Sequence, residues 1–162
     1  MTTLTHCHLR QGKRIAFIQA NWHKKIVEQG RLSFQAQLLE AGIHPSLIDL
    51  LDVPGSLEIP LQCKLLAKTN QYQVIVAAGL IVDGGIYRHD FVASTVLDGM
   101  MQVSLQSEIP VLSMVLTPHH FNDQSHHEFF HDHFKIKGME AANACIQMIN
   151  NEHKMAEIYQ VA

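Results

Sequence analysis

The sequence predicts an α/β protein in which a four-stranded parallel sheet is covered by helices on both faces. Two observations predict this class. Short apolar runs alternate along the chain with longer segments of helical periodicity, and glycine or proline marks their boundaries. Strands that alternate with helices pair in parallel through right-handed crossovers, which place the helices over the sheet. The predicted strands are residues 14–20, 47–53, 74–80 and 111–116.

The first two predicted helices follow the first two strands. The first runs through about Leu39, and its apolar residues share one face when wound at ~100° per residue. These residues are Ile26, Val27, Phe34 and Leu38. The second runs from Leu57 towards Lys68, with Ser56 as its N-cap and Glu58 in its first turn, where a negative charge is favoured.

The third predicted helix is apolar on two opposite faces. One face carries Val92, Val96, Gly99, Met100 and Val103, and the other carries Leu97, Met101 and Leu105. A helix of this kind needs two surfaces to pack against. We expect one to be its own sheet and the other to be a second subunit.

A histidine-rich segment, residues 119–133, follows the fourth strand. The last amphipathic helix is predicted to begin after Gly138, with one apolar face. That face carries Met139, Ala142, Cys145, Ile146 and Ile149. Residues 150–162 are polar and are expected to form a frayed tail.

The length and composition limit the possible classes of protein. A chain of 162 residues predicts one domain spanning residues 1–162, with a core at about 14–150 and polar tails at both ends. A net charge of -3 and the absence of a long apolar run argue against nucleic acid and against a membrane span. The widely spaced Cys7, Cys63 and Cys145 predict free thiols in a reducing cytoplasm.

The stretch after the third strand is the strongest candidate for a site, because ligands of open α/β sheets bind at the carboxyl ends of strands. Gly84 and Gly85 can present backbone N–H groups to an anion at the start of the next helix. Arg88, His89 and Asp90 combine a cation, a group that titrates near neutrality and a carboxylate. The alternatives are an ordinary strand-to-helix turn and a solvated helix start. No dinucleotide loop or P-loop pattern occurs in the sequence.

Two other strand ends carry candidate ligand contacts. Trp22 follows the first strand and offers a flat surface for a heteroaromatic ring, although a lone tryptophan is as often core packing. Glu58, beside Ser56, is able to accept hydrogen bonds from ligand hydroxyls, or is simply a first-turn carboxylate.

The histidine-rich segment raises a metal hypothesis. His127 and His131 are four residues apart and would share a helical face as two ligands. No cysteine or acidic partner completes a known pattern, and phenylalanines alternate with the histidines. A surface or subunit-contact role is therefore preferred, and no metal is predicted.

Three separated motifs together resemble the ligand loops of the lumazine synthase family. They are Asn21-Trp22-His23, the block Val53-Pro54-Gly55-Ser56-Leu57-Glu58-Ile59-Pro60, and residues 79–92. The similarity runs from about residue 15 to residue 149, and the Val-Pro-Gly block is specific.

The resemblance implies a fold, an assembly and a reaction. The fold is a flavodoxin-like, three-layer α/β/α sandwich, and the assembly is a pentamer, alone or stacked as a decamer or shell, with each active site between neighbouring subunits. The reaction joins 5-amino-6-ribitylaminouracil to 3,4-dihydroxy-2-butanone 4-phosphate and gives 6,7-dimethyl-8-ribityllumazine, phosphate and water. No metal or organic cofactor is implied.

The resemblance also assigns residues to the substrates. Trp22 matches the aromatic that stacks on the pyrimidine, and Ser113 matches a position that the adjacent subunit contributes. The positions matching the ribityl and pyrimidine contacts are Gly55, Ser56, Leu57, Glu58, Leu80, Ile81 and Val82. The positions matching the phosphate loop are Gly84, Gly85 and Ile86.

The sequence departs from the family pattern at two places. Arg88 stands where the family has its acid/base histidine, and His89 follows one residue later, so either His89 transfers the proton or Arg88 only polarises and orients. The family's phosphate-binding arginine near the C-terminus is missing, while Lys137 keeps its place as a substrate contact before Gly138. The candidate substitutes for that arginine are His127, His131 and Lys135.

Two functional hypotheses follow. The first is a cytoplasmic lumazine synthase of a divergent type with weaker binding of butanone phosphate. The second is a non-catalytic flavin- or lumazine-binding protein for storage or sensing, which Arg88 in place of histidine would favour.

Overall fold

The computed structural model describes residues 6–159, which form a four-stranded parallel sheet and four α-helices. The strands are β1 (Arg14–Ala20), β2 (Ile48–Val53), β3 (Tyr72–Leu80) and β4 (Val111–Leu116). The helices are α1 (Lys24–Glu40), α2 (Ile59–Lys68), α3 (His89–Ser107) and α4 (Gln124–Tyr159), with short 3₁₀ turns at Pro45–Leu47 and Ser56–Glu58. The strand order β2-β1-β3-β4 is that of a flavodoxin-like sheet, so the predicted three-layer α/β/α architecture is confirmed.

Two apolar cores lie on opposite faces of the sheet. The core under α1 and α4 is built on Phe17, Phe34 and Phe134, and all three are fully buried. The core under α2 and α3 is built on smaller side chains such as Ile18 and Ile59. Because both faces of the sheet are covered, every residue of the central strand β3 is buried.

The carboxyl ends of the four strands lie level with one another. Ala20 of β1 pairs with Val53 of β2, and Leu80 of β3 pairs with Leu116 of β4. The segments that follow these strands therefore meet at one edge of the sheet, where the candidate ligand loops were expected.

Helix α4 differs from its prediction at both ends. It begins at Gln124, so the histidine-rich segment is largely helical, and it continues through Gly138 to Tyr159. Gly138 does not mark the start of the helix but lies within it, where it packs so closely against the backbone carbonyl of Gly30 in α1 that no side chain would fit. Met139, predicted on the buried face, is 42% exposed.

The predicted frayed tail was wrong for residues 150–159, because residues 6–10 pack on this end of α4. Asn150 accepts a hydrogen bond from the His8 N–H at 2.9 Å and donates to the His6 carbonyl at 3.0 Å. The His8 ring stacks on His153 with centroids 4.6 Å apart, and Cys7 is buried between the two histidines of the segment. The predictions for residues 1–5 and 160–162 lie outside the described residues.

The second helix begins later than predicted. Residues Ser56–Glu58 form a 3₁₀ turn, and α2 starts at Ile59. Ser56 is not the N-cap of α2, because Glu58 holds that position; Gly55 is the N-cap of the 3₁₀ turn, and its backbone N–H donates to the Glu58 carboxylate at 2.8 Å. The Ser56 side chain is instead buried under the sheet edge.

The two-faced character of α3 is visible in the isolated subunit. Ala93, Val96, Met100 and Val103 are buried against the sheet. Leu97, Met101 and Leu105 are exposed on the outer face. Leu61 and Leu65 on the neighbouring α2 are exposed as well, so both helices present apolar side chains outward.

Candidate active site

Trp22 lies against the turn that follows β2. A Cβ placed on Gly55 would be 3.4 Å from two atoms of the Trp22 indole and 3.1 Å from Glu58 Oε2. The absence of a side chain at Gly55 therefore lets the indole approach the turn closely, while the Gly55 N–H donates to Glu58. The Trp22 side chain is 69% exposed, so its outer face is open to a ligand.

Ser56 and Gly79 define how closely the β2 turn approaches β3. A Cβ on Gly79 would lie 2.5 Å from Ser56 Oγ, which is too close for any other residue at this position. Ser56 is buried, whereas the neighbouring Leu57 is about half exposed. The turn thus presents Leu57 outward and holds the Ser56 hydroxyl against the end of the sheet.

After β3 ends at Leu80, the hydrogen bonding to β4 continues for one more residue. The Ile81 N–H donates to the Leu116 carbonyl at 2.9 Å, and the Thr117 hydroxyl donates to the Ile81 carbonyl at 2.7 Å. Leu80 is buried in the core under α1 and α4, Ile81 is buried in the core under α2 and α3, and Val82 is half-buried, so this segment forms an apolar floor at the carboxyl edge of the sheet.

The glycine loop follows this floor and is largely open. Gly85 has a φ of +75°, which favours glycine, and its N–H donates to Asp83 Oδ1 at 3.0 Å. A Cβ placed on Gly84 would have no atom within 4 Å, and Ile86 is 87% exposed. One of the two predicted glycine donors is therefore already bound to a carboxylate, which an incoming anion would have to displace.

Arg88 is held by two neighbours in the first turn of α3. Its Nε donates to Asp90 Oδ1 at 3.3 Å and an Nη donates to Asp90 Oδ2 at 3.1 Å. The guanidinium carbon lies 4.4 Å from the centroid of the Phe91 ring, within cation–π range. The Arg88 hydrogen bonds hold the pKa of the exposed Asp90 carboxyl below its usual value.

His89 is the first residue of α3 and is half-buried at the same edge. It follows the glycine loop along the chain, after residues 84–86.

A cluster of aromatic rings forms where the segments after β1 and β4 meet α4. The ring of Phe121 lies 5.0 Å from that of His23 and 4.2 Å from that of His127. Burial lowers the pKa of His23, and the nearby His127 lowers it further. His127, a predicted phosphate ligand, is engaged in this cluster.

The other α4 candidates lie away from the sheet edge in their own subunit. The Ser33 hydroxyl donates to the Lys135 carbonyl at 2.7 Å, and Ser33 lies about 13 Å of helix beyond the start of α1 at Lys24. His131 and Lys135 both contact the Asp132 carboxylate, at 3.3 and 2.8 Å. The structure therefore does not bring these side chains to the glycine loop of the same chain.

Lys137 and Ser113 are also separated from the edge. Lys137 is on the same stretch of α4, and its ammonium contacts Glu140 at 2.7 Å. Ser113 lies in the edge strand β4, about 10 Å of strand before Leu116, and its side chain is exposed. Both residues would reach a ligand only if they contacted the edge of another copy.

Sequence reasoning did not identify Asp83, Phe121 and the pairing of Asp90 with Arg88. A carboxylate two residues before a glycine turn is a usable signal for Asp83, because Asp side chains commonly bond the backbone two residues on. The Phe121 contacts depend on tertiary packing and leave no local signal.

The described residues add two further findings about this chain. Within residues 6–159, no three His, Cys, Asp or Glu side chains are grouped closely enough to hold a metal ion. No helix in this part of the chain is both long and apolar enough to cross a membrane.

The fold and the grouped loops define an open parallel α/β protein with a small-molecule site at the carboxyl edge of its sheet. Comparison with known proteins identifies the family. The model of the 6,7-dimethyl-8-ribityllumazine synthase family matches residues 12–153. The chain belongs to this family and is an enzyme of riboflavin biosynthesis.

Curated relatives carry the same name. A 6,7-dimethyl-8-ribityllumazine synthase of Rhodococcus erythropolis is 56% identical over 135 residues, which cover 83% of this chain and 87% of the relative. A 6,7-dimethyl-8-ribityllumazine synthase 2 of Pseudomonas syringae pv. tomato is 51% identical over 148 residues, or 91% of this chain and 87% of the relative. A protein of the same name from Bradyrhizobium diazoefficiens is 50% identical over 143 residues, 88% of this chain and 86% of the relative.

Proposed function

We propose that this chain condenses 5-amino-6-ribitylaminouracil with 3,4-dihydroxy-2-butanone 4-phosphate to form 6,7-dimethyl-8-ribityllumazine. One observation carries the proposal. The three segments that resemble the family's ligand loops meet at one sheet edge, with Trp22 on the Gly55 turn and His89 at the start of α3. Holding two substrates together in this way removes a large part of the barrier to their reaction.

The pyrimidine substrate would occupy the Trp22 side of the edge. The exposed indole offers a stacking face, and the floor formed by Leu80, Ile81 and Val82 lies at the same edge of the sheet. The ribityl chain would run along Ser56 and Leu57 towards Glu58. The Gly55 N–H bonds to Oε2 of Glu58, which orients the carboxylate and leaves Oε1 to accept from ribityl hydroxyls.

His89 would carry the proton transfers of imine formation and ring closure. Its position at the beginning of α3 places it beside the glycine loop, and imidazole exchanges protons near neutral pH. Arg88 is paired with Asp90, so it acts as a fixed cation and not as a proton carrier.

The active site would be completed by a neighbouring subunit. Ser113 and Lys137 lie away from the edge in their own chain, and α3 presents the exposed apolar residues Leu97, Met101 and Leu105. A homopentamer with sites between adjacent subunits, single or paired face to face, accounts for both features. The three buried free cysteines accord with the reducing cytoplasm as its location.

The activity is tested by incubating the purified protein with both substrates and following lumazine fluorescence. The expected result is a rate that depends on both substrates and disappears in a reaction lacking butanone phosphate. A rate equal to the buffer control, together with tight lumazine or flavin binding, would replace the proposal by the storage or sensing function, which Arg88 in place of the family's histidine favours.

Subunit sharing is tested by mixing two inactive variants. His89→Ala removes a group of the edge loops, and Lys137→Ala removes a group that we place in the neighbouring subunit. When the two variants are unfolded and refolded together, mixed assemblies contain some sites with both groups intact, so activity should return. No recovery, or a monomer in light scattering with full activity, would show that one chain contains the whole site.

A further inference from the structure

We infer that Arg88 is the phosphate-binding residue of this site and that Asp90 and Phe91 are positioning residues that aim it. The inference rests on the proposed function and identifies the group that takes the place of the arginine missing from α4. It depends on which edge of the Arg88 guanidinium is already hydrogen-bonded to Asp90.

The Asp90 carboxylate occupies only one edge of the guanidinium. It accepts hydrogen bonds from Nε and from one Nη nitrogen, at 3.3 and 3.1 Å. A guanidinium has five N–H groups in a rigid plane, so three remain, all of them on the two Nη nitrogens. Two of these donors, one on each Nη nitrogen, form the end-on edge, which is able to bind a second oxyanion through two parallel hydrogen bonds.

The Phe91 ring fixes the plane in which that edge lies. The guanidinium carbon is 4.4 Å from the ring centroid, so the cation rests on the ring face. With the Nε edge on Asp90 and one face on Phe91, the side chain loses little further freedom when it binds an anion. The Arg88 side chain is nevertheless 70% exposed, so its end-on edge is open to solvent.

The position of Arg88 fits a substrate phosphate better than the other cations of the chain do. It ends the glycine loop that contains Gly84, whose Cβ position has no atom within 4 Å. His127 is packed against Phe121, and Lys135 lies level with Ser33, about 13 Å of helix from the start of α1. Of the three candidates, Arg88 is therefore the one that adjoins the glycine loop within one subunit.

The test measures phosphate binding separately from turnover. Arg88→Lys keeps the charge but removes the planar donor edge, so we expect the inhibition constant of inorganic phosphate and the KM for butanone phosphate to rise about tenfold. The KM for the pyrimidine should stay unchanged and kcat should change less than the phosphate constants. Arg10→Lys, at an arginine paired with Glu152 near the far end of α4, is the matched control and should alter none of them.

The positioning role is tested at Asp90 and Phe91. Asp90→Asn and Phe91→Leu should each raise the same two phosphate constants about threefold, and Asp90→Glu should restore most of the loss at Asp90. A purely structural role would instead lower the melting temperature and change both KM values together. Tighter phosphate binding by Asp90→Asn would overturn the inference, since it would show that Asp90 competes with phosphate.

Two further outcomes separate this inference from the proposed function. Binding of inorganic phosphate is measured by calorimetry, which needs no turnover. Weakened phosphate binding in Arg88→Lys with no activity in the wild type would support the inference and refute the proposed function. Unchanged phosphate binding in Arg88→Lys, or loss of it in Lys135→Gln, would refute the inference whatever the activity.

Discussion

Gly138 of α4 packs directly on the backbone carbonyl of Gly30 in α1, and a Cβ on Gly138 would overlap that oxygen. The contact allows the two helices to approach at backbone distance over the sheet. A Cβ on Gly30 would in turn meet Met114 at 2.8 Å and Phe134 at 3.1 Å. Gly30 and Gly138 thus set the distance between α1 and α4 on this face of the sheet.

Gly138→Ala should destabilise the fold, although alanine has the higher helix propensity. The added methyl group forces α4 away from α1, and overpacking of this kind costs about 1–3 kcal/mol. The measurement is the free energy of unfolding in urea. Gly84→Ala is the control for stability, because nothing lies within 4 Å of its Cβ position. A Gly138→Ala protein as stable as wild type would show that the helices separate without cost.

The same contact explains why the sequence predicts α4 incorrectly. Gly138 indicates a boundary because glycine weakens helices, and only its tertiary contact with Gly30 shows why it is tolerated. The prediction of a frayed tail is wrong for a similar reason, since Asn150 is held by His6 and His8, more than 140 positions away in the chain. Contacts at such separation leave no periodic signal.

Other elements were predictable because their signal is local. The apolar faces of α1 and α3 follow from spacing alone, and the ends of the strands located the ligand loops. Side-chain pairing within the site was not predictable. The sequence predicts that Gly85 and Arg88 donate hydrogen bonds to a bound anion. In the structure they donate to Asp83 and Asp90 instead. Which donor faces which carboxylate depends on loop geometry.

Asp49 should stabilise the fold only above the acidic range. It accepts hydrogen bonds from Arg14 Nε at 2.6 Å and from the Tyr72 hydroxyl at 2.9 Å, which joins β2 to β1 and β3. The Arg14 hydrogen bond, aided by Tyr72, lowers the pKa of Asp49. Because the folded-state pKa is the lower one, this stabilisation is present above the unfolded value of about 3.9 and is lost as pH falls through the lowered value.

The measurement is urea unfolding of wild type and Asp49→Asn at two pH values. At pH 7 the variant should be less stable by about 1 kcal/mol, a modest value because the pair is a third exposed. As the pH falls below the unfolded value of about 3.9 the difference should shrink, and it should approach zero below the lowered pKa of Asp49. A difference that stays constant with pH would mean that the substitution acts through packing and not through charge.

The three thiols should be unreactive in the folded protein. Burial raises the pKa of Cys7 to about 11 and that of Cys63 to about 12, and it raises the pKa of Cys145 as well. At pH 8 almost no thiolate is present, and the thiolate is the nucleophile. A disulfide-type thiol reagent should therefore label the native protein slowly and label three thiols in denaturant. One fast equivalent at pH 8 would contradict the burial of these residues.

Trp22 should control the affinity for the pyrimidine. Its ring lies on the Gly55 turn with its outer face free, so Trp22→Ala removes the stacking surface. We expect the KM for the ribitylaminouracil to rise about threefold to tenfold, as for the loss of an aromatic pair worth about 0.5–1.5 kcal/mol. Trp22→Phe should keep most of the affinity for the pyrimidine. The KM for butanone phosphate should stay unchanged in both variants. A rise in both KM values would indicate that Trp22 supports the loop and does not stack on the ligand.

His89→Ala should reduce turnover more than Arg88→Lys does. His89 begins α3 beside the glycine loop, and loss of a general acid/base group lowers the rate about 10²- to 10⁴-fold. Arg88→Lys retains a cation, so its main effect should be on phosphate binding. The measurement is kcat, obtained by varying one substrate at a saturating concentration of the other and recording lumazine fluorescence. His153→Ala, at the opposite end of the molecule against His8, serves as the control for histidine removal. Equal kcat for His89→Ala and wild type would refute proton transfer by His89.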